Sequence, residues 1–126
     1  MSNNFEIKVF NNGNVNVVVS FDKDKNTVWL TQKQMAELFG VSVDNISLHI
    51  KNIFVDCELD NSVVEESSVT ASDGKKYKTK IYNLDMIISV GYRVKSKVGI
   101  VFRKWVTGIL NKYLVEGYAV NEKRLE

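Results

Sequence analysis

The segment Leu30 to Phe54, LTQKQMAELFGVSVDNISLHIKNIF, constrains the fold more than any other part of the chain. Its apolar residues recur at helical spacing on both sides of one glycine. Thr31 offers a side-chain oxygen to an orphan backbone N–H and predicts a helix over Gln32–Phe39. Met35, Leu38 and Phe39 share one side of it. Gly40 stands at the left-handed position just past the helix end. Apolar Val41 follows, Ser42 is a second N-cap, and a second helix is predicted from Val43 to about Phe54. Asp44 lies in its first turn, where negative charge suits the helix dipole. Ala36 is the small residue that permits a close crossing, and Ile46 and Ile50 are apolar anchors. These offsets predict a helix-turn-helix.

Projection of the second helix at 3.6 residues per turn places Val43, Ile46, Ile50 and Ile53 on a buried side. The opposite side centres on Leu48, with Asp44, Asn45, Lys51 and Asn52 beside it and Ser47 and His49 on the shoulders. A leucine there can meet a thymine methyl while asparagine reads adenine, which predicts a preference for A·T-containing sites. Packing of Leu48 beneath another segment is the competing expectation.

Strands are expected on either side. Phe5–Phe10 alternates, Asn11-Asn12-Gly13-Asn14 is turn chemistry, and Val15–Phe21 is β-branched, so residues 1–26 form an N-terminal hairpin. Thr27–Leu30 is a short third strand opening the helix-turn-helix region, 27–54. Val63–Ala71 and Lys75–Tyr82 form a second hairpin (63–82) around Ser72-Asp73-Gly74. Asn83 caps a short helix to about Tyr92. The last helix covers Ser96–Tyr118, with Val98, Val101, Phe102, Trp105, Ile109, Tyr113 and Leu114 as its core stripe. The polar end, Ala119–Glu126, lies beyond it. The expected class is α+β and winged-helix-like: N-terminal β-hairpin, helix-turn-helix, basic hairpin as wing, then a short and a long helix (84–118). All 126 residues form a single domain, expected to be the N-terminal part of a longer protein.

Net charge is only +2, but its distribution is uneven. Asp56 to Asp73 holds six acidic residues and no lysine or arginine, whereas Lys75 to Lys104 holds nine basic residues and one acid, Asp85. Such a block predicts a basic surface facing a polyanion. Strand alternation puts Lys76, Lys78 and Lys80 on one face and Tyr77, Thr79 and Ile81 on the other. A basic hairpin after a helix-turn-helix is the layout of a wing that touches the flanking phosphate backbone. Protection of an exposed strand edge by lysine is the alternative. Arg93 and Lys97, near the start of the last helix, are further phosphate contacts.

Other chemistry is largely excluded. One cysteine, Cys57, and one histidine, His49, exclude a disulfide framework, a multi-cysteine metal site and most triads. Gly74-Lys75-Lys76 lacks the upstream glycine and hydroxyl residue of a phosphate loop. Glu65 and Glu66 are adjacent in a strand and point to opposite faces, so they form no carboxylate pair. No catalytic residue, metal site, cofactor or membrane span is expected, and cytoplasmic location is the expectation.

TVWLTQKQMAELFGVSVDNISLHIKNIF and YNLDMIISVGYRVKSKVGIVFRKW resemble the RhuM virulence-protein family, from Thr27 to Glu126. The second block is also similar, more weakly, to the Bro-N and KilA-N domains of phages and large DNA viruses. The resemblance implies DNA binding, and regulation of a bacterial mobile element or pathogenicity island. Double-stranded DNA is thus the expected partner, read by Ser42, Asn45, Ser47, Leu48, His49, Lys51 and Asn52 and held by Lys76, Lys78, Lys80, Arg93 and Lys97. The exposed hairpin strands or the last helix could supply a homodimer contact. The alternative is a protein-interaction module without DNA binding, suited to the acidic stretch and an exposed Leu48.

Overall fold

The structure is a computed structural model that describes residues 5–70 and 72–125, with side chains for all of these except 69 and 117–125. Residues 1–4 of the expected hairpin region, Ala71 at the expected strand end, and Glu126 lie outside the described residues. The elements run β1 (Phe5–Asn12), β2 (Val15–Asp22), β3 (Thr27–Leu30), α1 (Gln32–Phe39), α2 (Val43–Val55), a 3-10 turn (Asn61–Val63), β4 (Val64–Thr70), β5 (Lys76–Asn83), α3 (Leu84–Arg93) and α4 (Val98–Leu125). The class is therefore α+β. Among the described residues no helix is long and apolar enough to cross a membrane.

All strands pair antiparallel in one sheet of order β1-β2-β3-β5-β4. Gly13 adopts φ +63° in the tight β1–β2 connection, a conformation glycine enters without the Cβ clash. The two hairpins meet through only two residue pairs, Trp29 with Asn83 and Leu30 with Tyr82. The segment α1–α2–β4 is thus looped out between neighbouring strands.

Period-two alternation sends Val17, Val19, Phe21, Leu30 and Tyr82 to the helix side of the sheet, where all are buried. Met35, Leu38 and Phe39 of α1, Ile46, Ile50 and Ile53 of α2, and Met86, Ile87 and Val90 of α3 close over them. Helix α4 docks through rings. Phe10 meets Phe102 and Trp105 edge-on at 5.2 Å each, and Phe21 meets Trp105 at 5.4 Å. A Cβ on Gly91 would stand 2.9 Å from Phe39 Cζ, so α3 lies hard against α1.

The structure corrects several expectations. Val43 is 44% exposed rather than buried, because it opens α2 at the rim of the core. Val101 and Leu114 are exposed as well. Five of the seven expected stripe residues of α4 pack on the core (Val98, Phe102, Trp105, Ile109 and Tyr113), and Val106 and Leu110, at i+4 and i+8 from Phe102, join them in place of Val101 and Leu114. Helix α4 begins at Val98, after Lys95 turns the chain at φ +57° and Ser96 Oγ accepts the Val98 N–H at 3.2 Å. Its backbone continues to Leu125, beyond the expected end at Tyr118. Val63 lies in the 3-10 turn rather than in β4, because Asp60 caps that turn.

On the sheet face away from the helices, Asp22 is only 3% exposed and accepts from Trp29 Nε1 (3.0 Å) and from the Lys25 backbone N–H (3.1 Å). Lys25 lies 5.5 Å over the Trp29 ring and pairs with Glu65 of β4. This cluster fastens the β2–β3 turn across the sheet. Asp22→Ala leaves a buried indole N–H unsatisfied and should cost about 1–3 kcal/mol in urea unfolding. In the Trp29→Phe background the loss should be smaller, because the orphaned donor is gone.

Glu6 bridges Lys23 of the β2–β3 turn (3.1 Å) and Lys8 (3.2 Å). Lys23 first, then Tyr113 and Lys8, lower the carboxyl pKa from 4.5 to about 2. Because the folded value is depressed, this group's stabilisation is complete above pH 4.5 and is lost as pH falls toward 2. A carboxyl-detected NMR titration should place the Glu6 midpoint near 2, and Lys23→Ala should raise it.

Candidate nucleic-acid interface

Two caps and one left-handed glycine position α2. Thr31 Oγ1 accepts the Gln34 N–H at 3.1 Å while Gln34 Oε1 accepts the Thr31 N–H at 2.8 Å, a reciprocal capping box. Gly40 at φ +68° ends α1, and the Gly40 and Val41 amides both donate to the Ala36 carbonyl (2.9 and 3.1 Å). Ser42 Oγ then accepts the Asn45 N–H at 3.0 Å and starts α2. Ile46, Ile50 and Ile53 bury one side of the helix.

The other side is open. Ser42, Asn45, Ser47, Leu48 and Lys51 are exposed, and His49 and Asn52 are half-buried. Leu48 is 55% exposed, so it does not pack beneath another segment. Asp44 is exposed on the first turn and leaves one negative charge beside this face.

Strand β3 covers only Tyr82 and Asn83 of β5, so Lys76–Ile81 pair with β4 alone and form a two-stranded ribbon. Lys76, Lys78 and Lys80 share the parity of buried Tyr82 and hence lie on the helix side of the sheet. All three are exposed. Lys78 and Lys80, with Tyr77 and Thr79, border a groove of about 610 Å³ whose far wall is Thr31, Gln32 and Lys33. Lys33 was not among the expected contacts. Nothing local marks it, because its place in the groove depends on the pairing of β3 with β5. Gln32 Nε2 donates to the Tyr82 hydroxyl at 3.1 Å and fixes that wall.

Arg93 is placed differently from the expectation. Its Nη2 lies 2.9 Å from Asp56 Oδ2 and 3.1 Å from Glu58 Oε1, and its side chain is 24% exposed. Asp56 and then Glu58 raise its pKa further. Arg93 therefore clasps α3 to the end of α2 and is not a free cation. Lys97 is exposed in the α3–α4 connection and does not line the groove.

The acidic block is occupied internally. Asp56 and Glu58 hold Arg93, Asp60 accepts the Ser62 N–H, Glu65 pairs with Lys25, Glu66 lies 3.9 Å from Lys78, and Asp73 accepts from the Lys75 N–H and the Tyr77 hydroxyl. By contrast Lys33, Lys51, Lys76 and Lys80 carry no ion pair among the described residues. Among those residues no group of three or more His, Cys, Asp or Glu side chains could hold a metal ion. An apolar cleft of about 500 Å³ lies elsewhere, between α3 and α4, lined by Ile88, Gly91, Tyr92, Gly99 and Ile100 with Lys95 and Arg103 at its rim.

A family model, that of the Virulence protein RhuM family, matches residues 62–126, just over half of the chain. The match takes in the basic ribbon, α3 and α4, and starts after the helix pair. No curated protein and no solved structure matches.

Exposure of Leu48 has a direct consequence for stability. Leu48→Ala should change the unfolding free energy by no more than about 0.5 kcal/mol, whereas Ile50→Ala, on the buried side, should cost about 2–5 kcal/mol. Urea melts of the two variants make the comparison.

Proposed function

The chain belongs to the Virulence protein RhuM family, and from that premise and the open face of α2 we propose that it is a sequence-selective double-stranded DNA-binding module. The observation that carries the reading is the partition of charge. Each acid from Asp56 to Asp73 has an internal partner, while Lys33, Lys51, Lys76 and Lys80 are exposed and without ion pairs among the described residues. Unpaired surface cations release counterions when they meet phosphate, which is the main source of DNA affinity.

We read β3-α1-α2-β4-β5, with β5 between β3 and β4, as a winged helix. Helix α2 enters the major groove. Asn45, Leu48, Lys51 and Asn52 meet base edges and adjacent phosphates, and Ser47 and His49 lie at the margins. The β4–β5 ribbon is the wing, and Lys76, Lys78 and Lys80 with Lys33 hold the flanking backbone. Asp44 repels phosphate from the first turn of α2 and biases backbone contacts toward the wing side. Regulation of a mobile element, in the cytoplasm, is the setting this activity fits.

A second reading is a protein-interaction module. The apolar α3–α4 cleft, with Tyr92 standing 86% exposed at its edge, favours it. Binding of that kind would be insensitive to salt and would not shift DNA.

The test is a salt series on variants. Lys76→Ala and Lys80→Ala should each flatten the log–log slope of affinity against salt by about one unit, and Arg93→Gln should leave it unaltered. Leu48→Ala should reduce discrimination between a selected site and a scrambled one by about 1–3 kcal/mol. If the double lysine variant keeps both affinity and slope, the wing reading fails.

A further inference from the structure

Strand β1 is an edge of the sheet, and among the described residues no strand pairs with its outer side. Its register gives that edge a definite chemistry. The β1–β2 connection has two residues, Gly13 and Asn14, so Asn12 and Val15 close the hairpin as a hydrogen-bonded pair. Bonded pairs then alternate along the ladder: Phe10 with Val17, Lys8 with Val19, Glu6 with Phe21. The backbone N–H and C=O groups of Phe5, Ile7, Val9 and Asn11 consequently point away from β2, into solvent.

The side chains of Phe5, Ile7 and Val9, with Val18 beside them, form an exposed apolar strip on the sheet face away from the helices. An apolar, proline-free edge with free backbone groups is a template for another strand. A lysine normally blunts such an edge. Here Lys8 has its complement two residues away, in Glu6, which Lys23 of the β2–β3 turn also holds, and the Lys8 and Glu6 side chains are 37% and 39% exposed.

We propose that the edge is taken by a second copy of this chain, β1 against β1, antiparallel, about a two-fold axis at Ile7. With Ile7 opposite Ile7 of the second copy, Phe5 stands opposite Val9 and Glu6 opposite Lys8, each reciprocally. About six backbone hydrogen bonds form between the outward-facing groups, and the two apolar strips become continuous. Alternation of the free backbone groups permits neighbouring registers only in set steps. One step one way opposes Glu6 to Glu6, and one step the other way opposes Lys8 to Lys8. Like charges directly opposite are destabilising, so charge selects the register. The exposed ion pairs contribute little affinity by themselves, and the backbone ladder and apolar contact supply it. The inference rests on the sheet edge alone and is independent of DNA binding. It yields a closed, two-fold pair whose two α2 helices are related by the same axis.

The test is sedimentation equilibrium on the full chain, with circular dichroism to check folding. The wild type should sediment at twice the chain mass of 14.4 kDa. Ile7→Pro removes an N–H that the β1–β2 ladder does not use, so it should stay folded and sediment as a monomer. Glu6→Lys should weaken the dimer about tenfold or more by opposing lysines, and the exchange Glu6→Lys with Lys8→Glu should restore it. Should Ile7→Pro fail to fold, the charge pair decides alone. A wild type that remains at 14.4 kDa to the solubility limit overturns the proposal. So does a dimer that Glu6→Lys and Ile7→Pro leave intact.

Discussion

The structure depends on a two-pair junction between β3 and β5. Trp29 with Asn83 and Leu30 with Tyr82 join hairpins that lie some fifty positions apart in the chain. Several element boundaries are fixed at the same spot. Asn83 Oδ1 accepts the Met86 N–H at 3.2 Å and starts α3. Thr27 Oγ1 accepts the Leu84 N–H at 3.1 Å, and Gln32 Nε2 reaches the Tyr82 hydroxyl. A short ladder is weak on its own. Here it is backed by buried Leu30 and Tyr82 on one face and by the Trp29–Asp22 hydrogen bond on the other. Because the first turn of α1 and the base of the ribbon are both tied to it, Lys78 and Lys80 of β5 face Lys33 across one groove.

The helix pair inherits its orientation from this junction. Phe39 sits against Gly91, with no room for a Cβ between them, and that contact seats α3 against α1. Arg93 then pins the end of α2 through Asp56 and Glu58. Helix α2 is thus held along its buried isoleucine side and at its C-terminal end, while its opposite face stays free. Of the acids from Asp56 to Asp73, Asp56 and Glu58 form this clasp, Asp60 and Asp73 hold turns, and Glu65 and Glu66 pair with Lys25 and Lys78.

Local features were readable from residues alone. Thr31, Ser42 and Asn83 are caps, Gly40 and Gly13 take positive φ, and the elements between them begin and end within a few residues of expectation. What was not readable depends on distant partners. Arg93 reads as a free cation until α3 is folded against Asp56, 37 positions away. Lys33 reads as an ordinary surface residue until β3 meets β5. Val43, Val101 and Leu114 obey helical periodicity yet are exposed, because which flank of a helix is covered depends on the elements packed against it. The α2 face lies between these cases. Its periodicity identified Leu48 as opposite the core, and only packing could decide that nothing covers it.

The measurement that bears most directly on the account is fluorescence anisotropy of the intact chain with a pool of random-sequence duplex DNA over a salt series. Binding at low salt should weaken linearly in log affinity against log salt, with a slope of several units, because several lysines displace counterions together. A folded sample that shows no binding even at about 50 mM salt, or affinity that salt does not change, would contradict it.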